Sequence, residues 1–136
     1  MNLADLYFSY SGRINRGKFW LGYLGAAAAT WSLFFLSTYL FGPPFFDVTP
    51  EEIERFGVNA MLGSTPALVS YAAVLIGSMI LIIPLFIKRC HDRGKSGWWL
   101  LLSLIPIAGL IWLIIDLGVM EGDEGPNAYG PNPLKV

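Results

Sequence analysis

Three stretches without a charged side chain govern what this chain can become. They hold 28 residues between Lys18 and Asp47, 32 between Arg55 and Lys88, and 20 between Lys95 and Asp116. A helix needs about 20 mostly apolar residues to cross about 30 Å of hydrocarbon. None of the runs shows the alternation of a barrel strand, and in lipid every backbone polar group needs an internal partner. All three are therefore expected to be helices, with spans near 19–41, 66–87 and 97–117 and an irregular Gly-, Pro- and Asn-rich tail over 118–136. The expected fold class is an all-α integral membrane protein. It has three transmembrane helices in a single membrane domain over 1–136, joined by short amphipathic interfacial helices.

Composition agrees. Of the 136 residues 54% are hydrophobic and 14% charged, against roughly 25% charged in a soluble domain. A net charge of −1 excludes a uniformly basic nucleic-acid binder. With Cys90 the one cysteine, neither an internal disulfide nor a cysteine-based metal cluster can form. Arg13, Arg16 and Lys18 resemble the basic start of a signal peptide, but the apolar stretch after them is about twice too long, so the first span is expected to be retained. The connections are too short to hold a soluble catalytic domain.

The connections carry helix signals of their own. Thr49-Pro50-Glu51-Glu52 sets an N-cap, a proline at N1 and an acid at N3. Ile53, Phe56, Gly57, Ala60 and Met61 follow at helical spacing until Gly63, which predicts a short helix on the membrane surface. Ser64-Thr65-Pro66 opens the second span in the same way. Leu3, Leu6, Tyr7 and Tyr10 share one face of a second interfacial helix.

Lys/Arg bias sets the orientation. With three spans, Arg13, Arg16, Lys18, Lys88, Arg89, Arg93 and Lys95 fall on one side and Arg55 and Lys135 on the other. Most acids lie opposite: Asp47, Glu51, Glu52, Glu54, Asp116, Glu121, Asp123 and Glu124. Basic loops mark the cytoplasm, so the N-terminus is expected inside and the C-terminus in the periplasm. Pro106 and Gly109 could instead fold the third run into a re-entrant hairpin. A continuous helix kinked at the proline is the simpler expectation.

Three motifs punctuate the chain. The first is Ser11-Gly12-Arg13-Ile14-Asn15-Arg16-Gly17-Lys18-Phe19-Trp20. The second is Arg89-Cys90-His91-Asp92-Arg93-Gly94-Lys95-Ser96-Gly97-Trp98-Trp99, followed by Ile105-Pro106. The third is Gly125-Pro126-Asn127-Ala128-Tyr129-Gly130-Pro131-Asn132-Pro133 in the tail. In this order, and at these places relative to the spans, they resemble the family called domain of unknown function 805. That resemblance implies a small bacterial inner-membrane protein and no particular reaction. Lys18 stands where the family often has an acid, and Ala128 and Asn132 stand where its tail often has arginine and aspartate.

The candidate site gathers the cytoplasmic motifs. Arg13, Arg16, Trp20, Arg89, His91, Asp92, Arg93, Trp98 and Trp99 could hold the phosphate of an anionic lipid headgroup or a phosphorylated ligand, because guanidinium forks suit phosphate. Topogenic charge with an aromatic belt accounts for the same residues. Asn127, Tyr129, Gly130, Pro131 and Pro133 form the tail motif. His91-Asp92 is the one dyad with acid–base potential, yet sequence neighbours on a helix point about 100° apart. Asp92 is expected to cap the next turn or to pair with Arg89, Arg13 or Arg16. Asp116 is expected to be solvated at the outer boundary, and Cys90, His91 and Asp92 are too close in sequence to converge on a metal. Gly22, Ala26 and Thr30, and likewise Ala73 and Gly77, line rows that suit helix packing.

The functional expectation is a non-enzymatic structural, assembly or partner-binding protein without cofactor or metal. Its expected partners are membrane lipids, chiefly anionic, and a second copy or another membrane protein, with no nucleic acid. The alternative is a transport or lipid-handling subunit working through the cytoplasmic Arg/Trp surface.

Overall fold

In a computed structural model the described residues are 2–41, 49–56 and 65–135. They form α1 (Leu3–Phe8), α2 (Arg16–Phe41), α3 (Pro50–Phe56) and α4 (Thr65–Asp92). A 3-10 helix (Gly97–Leu104) and α5 (Ala108–Trp112) follow, and α5 runs on as a π-helical stretch (Leu113–Val119). No strand occurs among the described residues, which bear out the helical class. Helix α3 starts at Pro50, at the proline expected to sit at N1. Its expected continuation through Gly57, Ala60 and Met61 to Gly63, and the side chains of Ile53 and Phe56, lie outside the described residues.

Local chemistry explains the helix ends. Asn2 and Asp5 form a reciprocal capping box on α1, the Asp5 amide donating to Asn2 Oδ1 at 2.7 Å. Asn15 opens α2, its Oδ1 accepting from the Lys18 amide at 2.8 Å. Helix α4 closes on Gly94 at φ +66°, with Gly94 N–H donating to the His91 carbonyl and Lys95 N–H to that of Cys90. That pattern is a Schellman stop, and the positive φ is why glycine stands there.

Helices α2 and α4, of 26 and 28 residues, are long and apolar enough to cross a membrane. Only 17% of the apolar window of each is buried, so both turn hydrocarbon side chains outward almost all round, the composition of a lipid-facing span.

The chain gathers into two compact units. The first comprises Met1–Ala26 and Ile80–Val136. Its core joins Ile14, Phe19, Leu85, Cys90 and Leu117, flanked by Leu6, Tyr7, Phe86, Leu100, Trp112 and Leu113. Gly22 lets α2 close on α4: a Cβ there would stand 3.0 Å from a Leu85 methyl. The Tyr7 hydroxyl donates to the Gly22 carbonyl at 2.9 Å, docking α1 on the same turn. The second unit comprises Ala27–Met79. In it Ser37 meets Ser70 at 2.6 Å, and Thr38 meets the Tyr71 hydroxyl at 2.9 Å. Interhelical hydroxyl pairs of this kind are the polar glue of lipid-embedded helices. Ala73 is exposed and Gly77 has nothing within 4 Å of its Cβ position, so that small-residue row packs on nothing among the described residues.

The third run corrects the expectation of a continuous third span. Residues 97–119 form two short helical limbs folded back on each other. Trp99 stacks on Trp112 with ring centroids 6.3 Å apart. A Cβ at Gly109 would overlap the Leu102 carbonyl, so glycine alone permits the approach. The bend has a physical cause. Pro106 pushes Ile105 to an extended conformation, φ −81° and ψ 113°. Ile107 then takes φ +64°, and the Ala108 amide donates to the Pro106 carbonyl at 2.7 Å across it, a strained γ-turn. An eight-residue 3-10 limb rises about 16 Å, half the hydrocarbon thickness.

Candidate functional site

The hairpin returns the chain to its starting point, and the three motifs meet in the first unit around buried charge. Arg89, on the last turn of α4, is fully buried. Its Nε donates to the Leu117 carbonyl at 2.7 Å, Nη1 to the Asp92 carboxylate and the Ile14 carbonyl, and Nη2 to the Met120 carbonyl. One guanidinium thus caps the carbonyl end of the π-helical stretch and ties it to the first motif.

Arg13 completes the arrangement. Its Nε lies 3.1 Å from Asp92 Oδ1, and its side chain is 1% exposed. Its Nη1 donates to the carbonyls of Gly125 (2.7 Å) and Gly130 (3.1 Å), and Nη2 to that of Asp123 (2.6 Å). Asp92 therefore accepts from two guanidinium groups, as expected of its pairing with Arg13 and Arg89. Such a pair holds only where the remaining donors are also satisfied, which the tail carbonyls do here.

The tail is irregular in conformation but fixed by hydrogen bonds. Asn127 and Gly130 exchange backbone bonds of 3.1 Å, and Asn127 Oδ1 accepts from the Tyr129 amide at 2.9 Å. Asn127 Nδ2 donates to the His91 carbonyl at 2.9 Å and to Asp123 Oδ2 at 2.8 Å. The His91 ring stacks on Tyr129 at 3.9 Å with planes 3° apart. Its Nδ1 lies 3.2 Å from the Gly12 carbonyl, which makes Nδ1 the protonated nitrogen of the neutral ring.

Further charged pairs ring this core. Lys95 Nζ lies 2.6 Å from Asp116 Oδ1 and over the Trp99 and Trp112 rings at 5.1 and 5.6 Å. Arg93 reaches Asp116 at 3.3 Å and the Glu121 carbonyl. Arg16 donates to the Val119 carbonyl at 2.9 Å and to Glu121 at 2.8 Å, and Trp20 Nε1 donates to the Gly118 carbonyl at 3.0 Å. Lys88 donates to the carbonyls of Asp5 and Leu6, closing the exposed end of α1.

These contacts bear on two expectations. The tail carbonyls are bonded to the first basic motif, where a continuous third span would set the two apart. Asp116 is buried between two cations, since the hairpin brings it back to Lys95. Of the candidate residues, Arg13, Arg16, Trp20, Arg89, His91, Asp92 and Arg93 come together, joined by Asn127, Tyr129 and Gly130. Trp98 stands apart, 79% exposed at the head of the 3-10 limb, and Trp99 meets the cluster only through Lys95. Pro131 is exposed, and Pro133 lines a pocket that also takes in Arg16, Arg89 and Asp92. Asn15, Lys88, Asp116, Asp123 and Asn132 were not among the expected site residues. The Asn-Pro and Gly-Pro steps of the tail were the available signal for its turns. Among the described residues, no three His, Cys, Asp or Glu side chains converge as metal ligands would.

Two helices long and apolar enough to cross a membrane, with a knot of arginines on backbone carbonyls in the first unit, mark a small membrane protein. Residues 7–131 match the family described as Protein of unknown function (DUF805), and the chain belongs to that family. It is similar to the inner membrane protein YhaH of Escherichia coli (strain K12), 47% identical over 47 residues, which cover 34% of this chain and 37% of YhaH. The inner membrane protein YhaI of the same strain is 36% identical over 59 residues, 43% of this chain and 49% of YhaI. YiiR, also of that strain, is 26% identical over an alignment of 160 positions that spans all of this chain and 93% of YiiR. The matches to YhaH and YhaI thus span less than half the length of each relative. No solved structure matches the chain.

Proposed function

We propose that this chain is a non-catalytic inner-membrane protein with a structural, assembly or partner-binding role. In this reading it crosses the bilayer at α2 and α4, dips into it at 97–119 and keeps both termini in the cytoplasm. The observation that carries the role is where the motif cations point. Arg13, Lys88 and Arg89 are buried and bonded to the chain's own carbonyls and to Asp92, so they serve the fold and not a reacting substrate. His91 is held by a carbonyl and a stacked tyrosine, an arrangement that fixes the ring without aiming it at a nucleophile.

Charge supports the topology. With the third run re-entrant, Arg13, Arg16, Lys18, Lys88, Arg89, Arg93, Lys95 and Lys135 flank the membrane on one side, leaving only Arg55 on the other. That bias exceeds the one expected for three spans and supports a cytoplasmic tail. The inner-membrane location follows the names of the relatives.

Cross-linking in native membranes, followed by purification of the tagged chain, tests the role. The expected result is a discrete adduct with another membrane protein or a second copy, unchanged in His91→Ala. A substrate turned over by the purified wild type and not by a folded His91→Ala variant would overturn the proposal.

A further inference from the structure

A polar pocket and an apolar groove adjoin one another in the first unit. The pocket, about 360 Å³, is lined by Asn15, Arg16 and Gly17 at the start of α2 and by Glu121, Asp123 and Glu124 of the tail, with Arg89 and Asp92 at its floor. The groove, about 320 Å³, lies one helical turn further along α2. Phe19, Trp20 and Tyr23 line it with Phe86, Leu113 and Ile114. Arg16 and Trp20 stand at i and i+4 on one helix face and bond to the consecutive carbonyls of Val119 and Gly118. The polar and apolar compartments therefore share one edge.

The charges at that edge are uneven. Arg89 and Asp92 are buried and committed to each other and to the backbone. Arg16 is different: its side chain is 45% exposed and its carboxylate partner Glu121 is 78% exposed. A pair so exposed contributes little and exchanges readily. Around Arg16 the pocket presents Glu121, Asp123 and Glu124. An anion alone would bond Arg16 but meet the exposed acids Glu121 and Glu124, while the Asp123 carboxylate is engaged by Asn127. A ligand carrying phosphate and ammonium together satisfies both signs, and a hydrocarbon chain attached to it fits the aromatic groove.

We propose that this composite cleft binds one phospholipid whose headgroup carries a primary ammonium. Arg16 bonds the phosphate, Glu121 and Glu124 receive the ammonium, and an acyl chain lies between Trp20, Phe86 and Ile114. The ligand is thus zwitterionic and not anionic, because the folded-back tail makes the mouth of the groove acidic. This site is independent of the assembly role proposed above.

Native mass spectrometry of the whole protein, released from nanodiscs of equal parts phosphatidylethanolamine, phosphatidylglycerol and phosphatidylcholine, tests it. The expected result is one retained phosphatidylethanolamine in preference to both others. Arg16→Ala should reduce retention about tenfold, the scale of one charge-assisted hydrogen-bonded contact. Glu121→Gln with Glu124→Gln should shift retention toward phosphatidylglycerol, and Ile114→Trp, which fills the groove, should abolish it. Circular dichroism melting identifies variants that fail to fold, and Arg16→Lys, keeping the charge, should restore part of the retention. Equal retention of the three lipids, a wild-type preference for phosphatidylglycerol or phosphatidylcholine, or full retention by folded Arg16→Ala would overturn the proposal.

Discussion

Lys95 and Asp116, 21 residues apart and at opposite ends of an uncharged run, lie 2.6 Å from each other. A straight helix across that run would separate them by about 31 Å at 1.5 Å per residue. The ion pair is thus the signature of the hairpin, and the Trp99 and Trp112 rings shield it on one side. Removing Asp116 leaves Lys95 and Arg93 facing each other without a carboxylate. Asp116→Ala should cost about 2 kcal/mol, a partly exposed version of breaking a buried pair. Reversing the charges with Lys95→Asp plus Asp116→Lys should recover part of that loss in a detergent melt. A double reversal no better than the single Asp116→Lys change would argue against a direct pair.

Topology can be read in cells. A reporter fused after Lys135 should behave as cytoplasmic, and one placed between α2 and α4 as periplasmic. A cysteine introduced at Glu124 should stay unlabelled by membrane-impermeant thiol reagents until the cells are broken. A periplasmic signal from the C-terminal fusion would reinstate a continuous third span.

Asp92 carries two guanidinium groups, and Arg13 in turn carries three tail carbonyls. Asp92→Ala should therefore lower stability by about 3–5 kcal/mol, whereas Glu124→Ala, at an exposed acid, should change it by less than about 0.5 kcal/mol. In a double-mutant cycle Arg13→Ala and Asp92→Ala should be strongly non-additive. Additive losses would show that each residue acts through separate contacts.

Both long helices and an arginine partner for Asp92 were legible in the sequence. Uncharged runs longer than the bilayer requires have few alternatives, and one carboxylate amid four arginines must find a partner. The hairpin was not legible from run length, because 20 uncharged residues fit one span or two half-depth limbs equally well. Its signals were Pro106 and Gly109, together with Asp116 and the acids that follow it, which Lys/Arg counting largely ignores. The tail's order was hidden for another reason. Asn127 and Asn132 work through side-chain bonds to backbone atoms, and Arg13 binds carbonyls, which every residue type supplies.

Two glycines should respond oppositely to the same change. Nothing stands within 4 Å of a Cβ at Gly77, in α4. Gly77→Ala should stabilise by up to about 1 kcal/mol through helix propensity alone. At Gly109 the added methyl would meet the Leu102 carbonyl, backbone that cannot swing aside. Gly109→Ala should cost more than about 2 kcal/mol by forcing the limbs apart and should make Trp99 fluorescence more exposed to aqueous quenchers. Matching effects at the two sites would mean that the limbs are not in close contact.

The last test addresses the tip. Ile107 is the one non-glycine residue with positive φ among the described residues, and its side chain is 76% exposed. A β-branched side chain in that region costs roughly 1–2 kcal/mol. Glycine would remove the strain but raise the entropy of the unfolded chain, returning up to about 1 kcal/mol. An isoleucine so exposed buries little apolar area against the protein, so its loss removes little packing. Ile107→Gly should leave stability unchanged or raise it by about 1 kcal/mol, whereas Ile107→Pro, locked near φ −65°, should unfold the hairpin. The melting temperature of each variant in the same detergent decides it. A clear drop for Ile107→Gly would mean that the isoleucine side chain makes a contact that outweighs its backbone strain, and the hairpin tip would then be a binding surface.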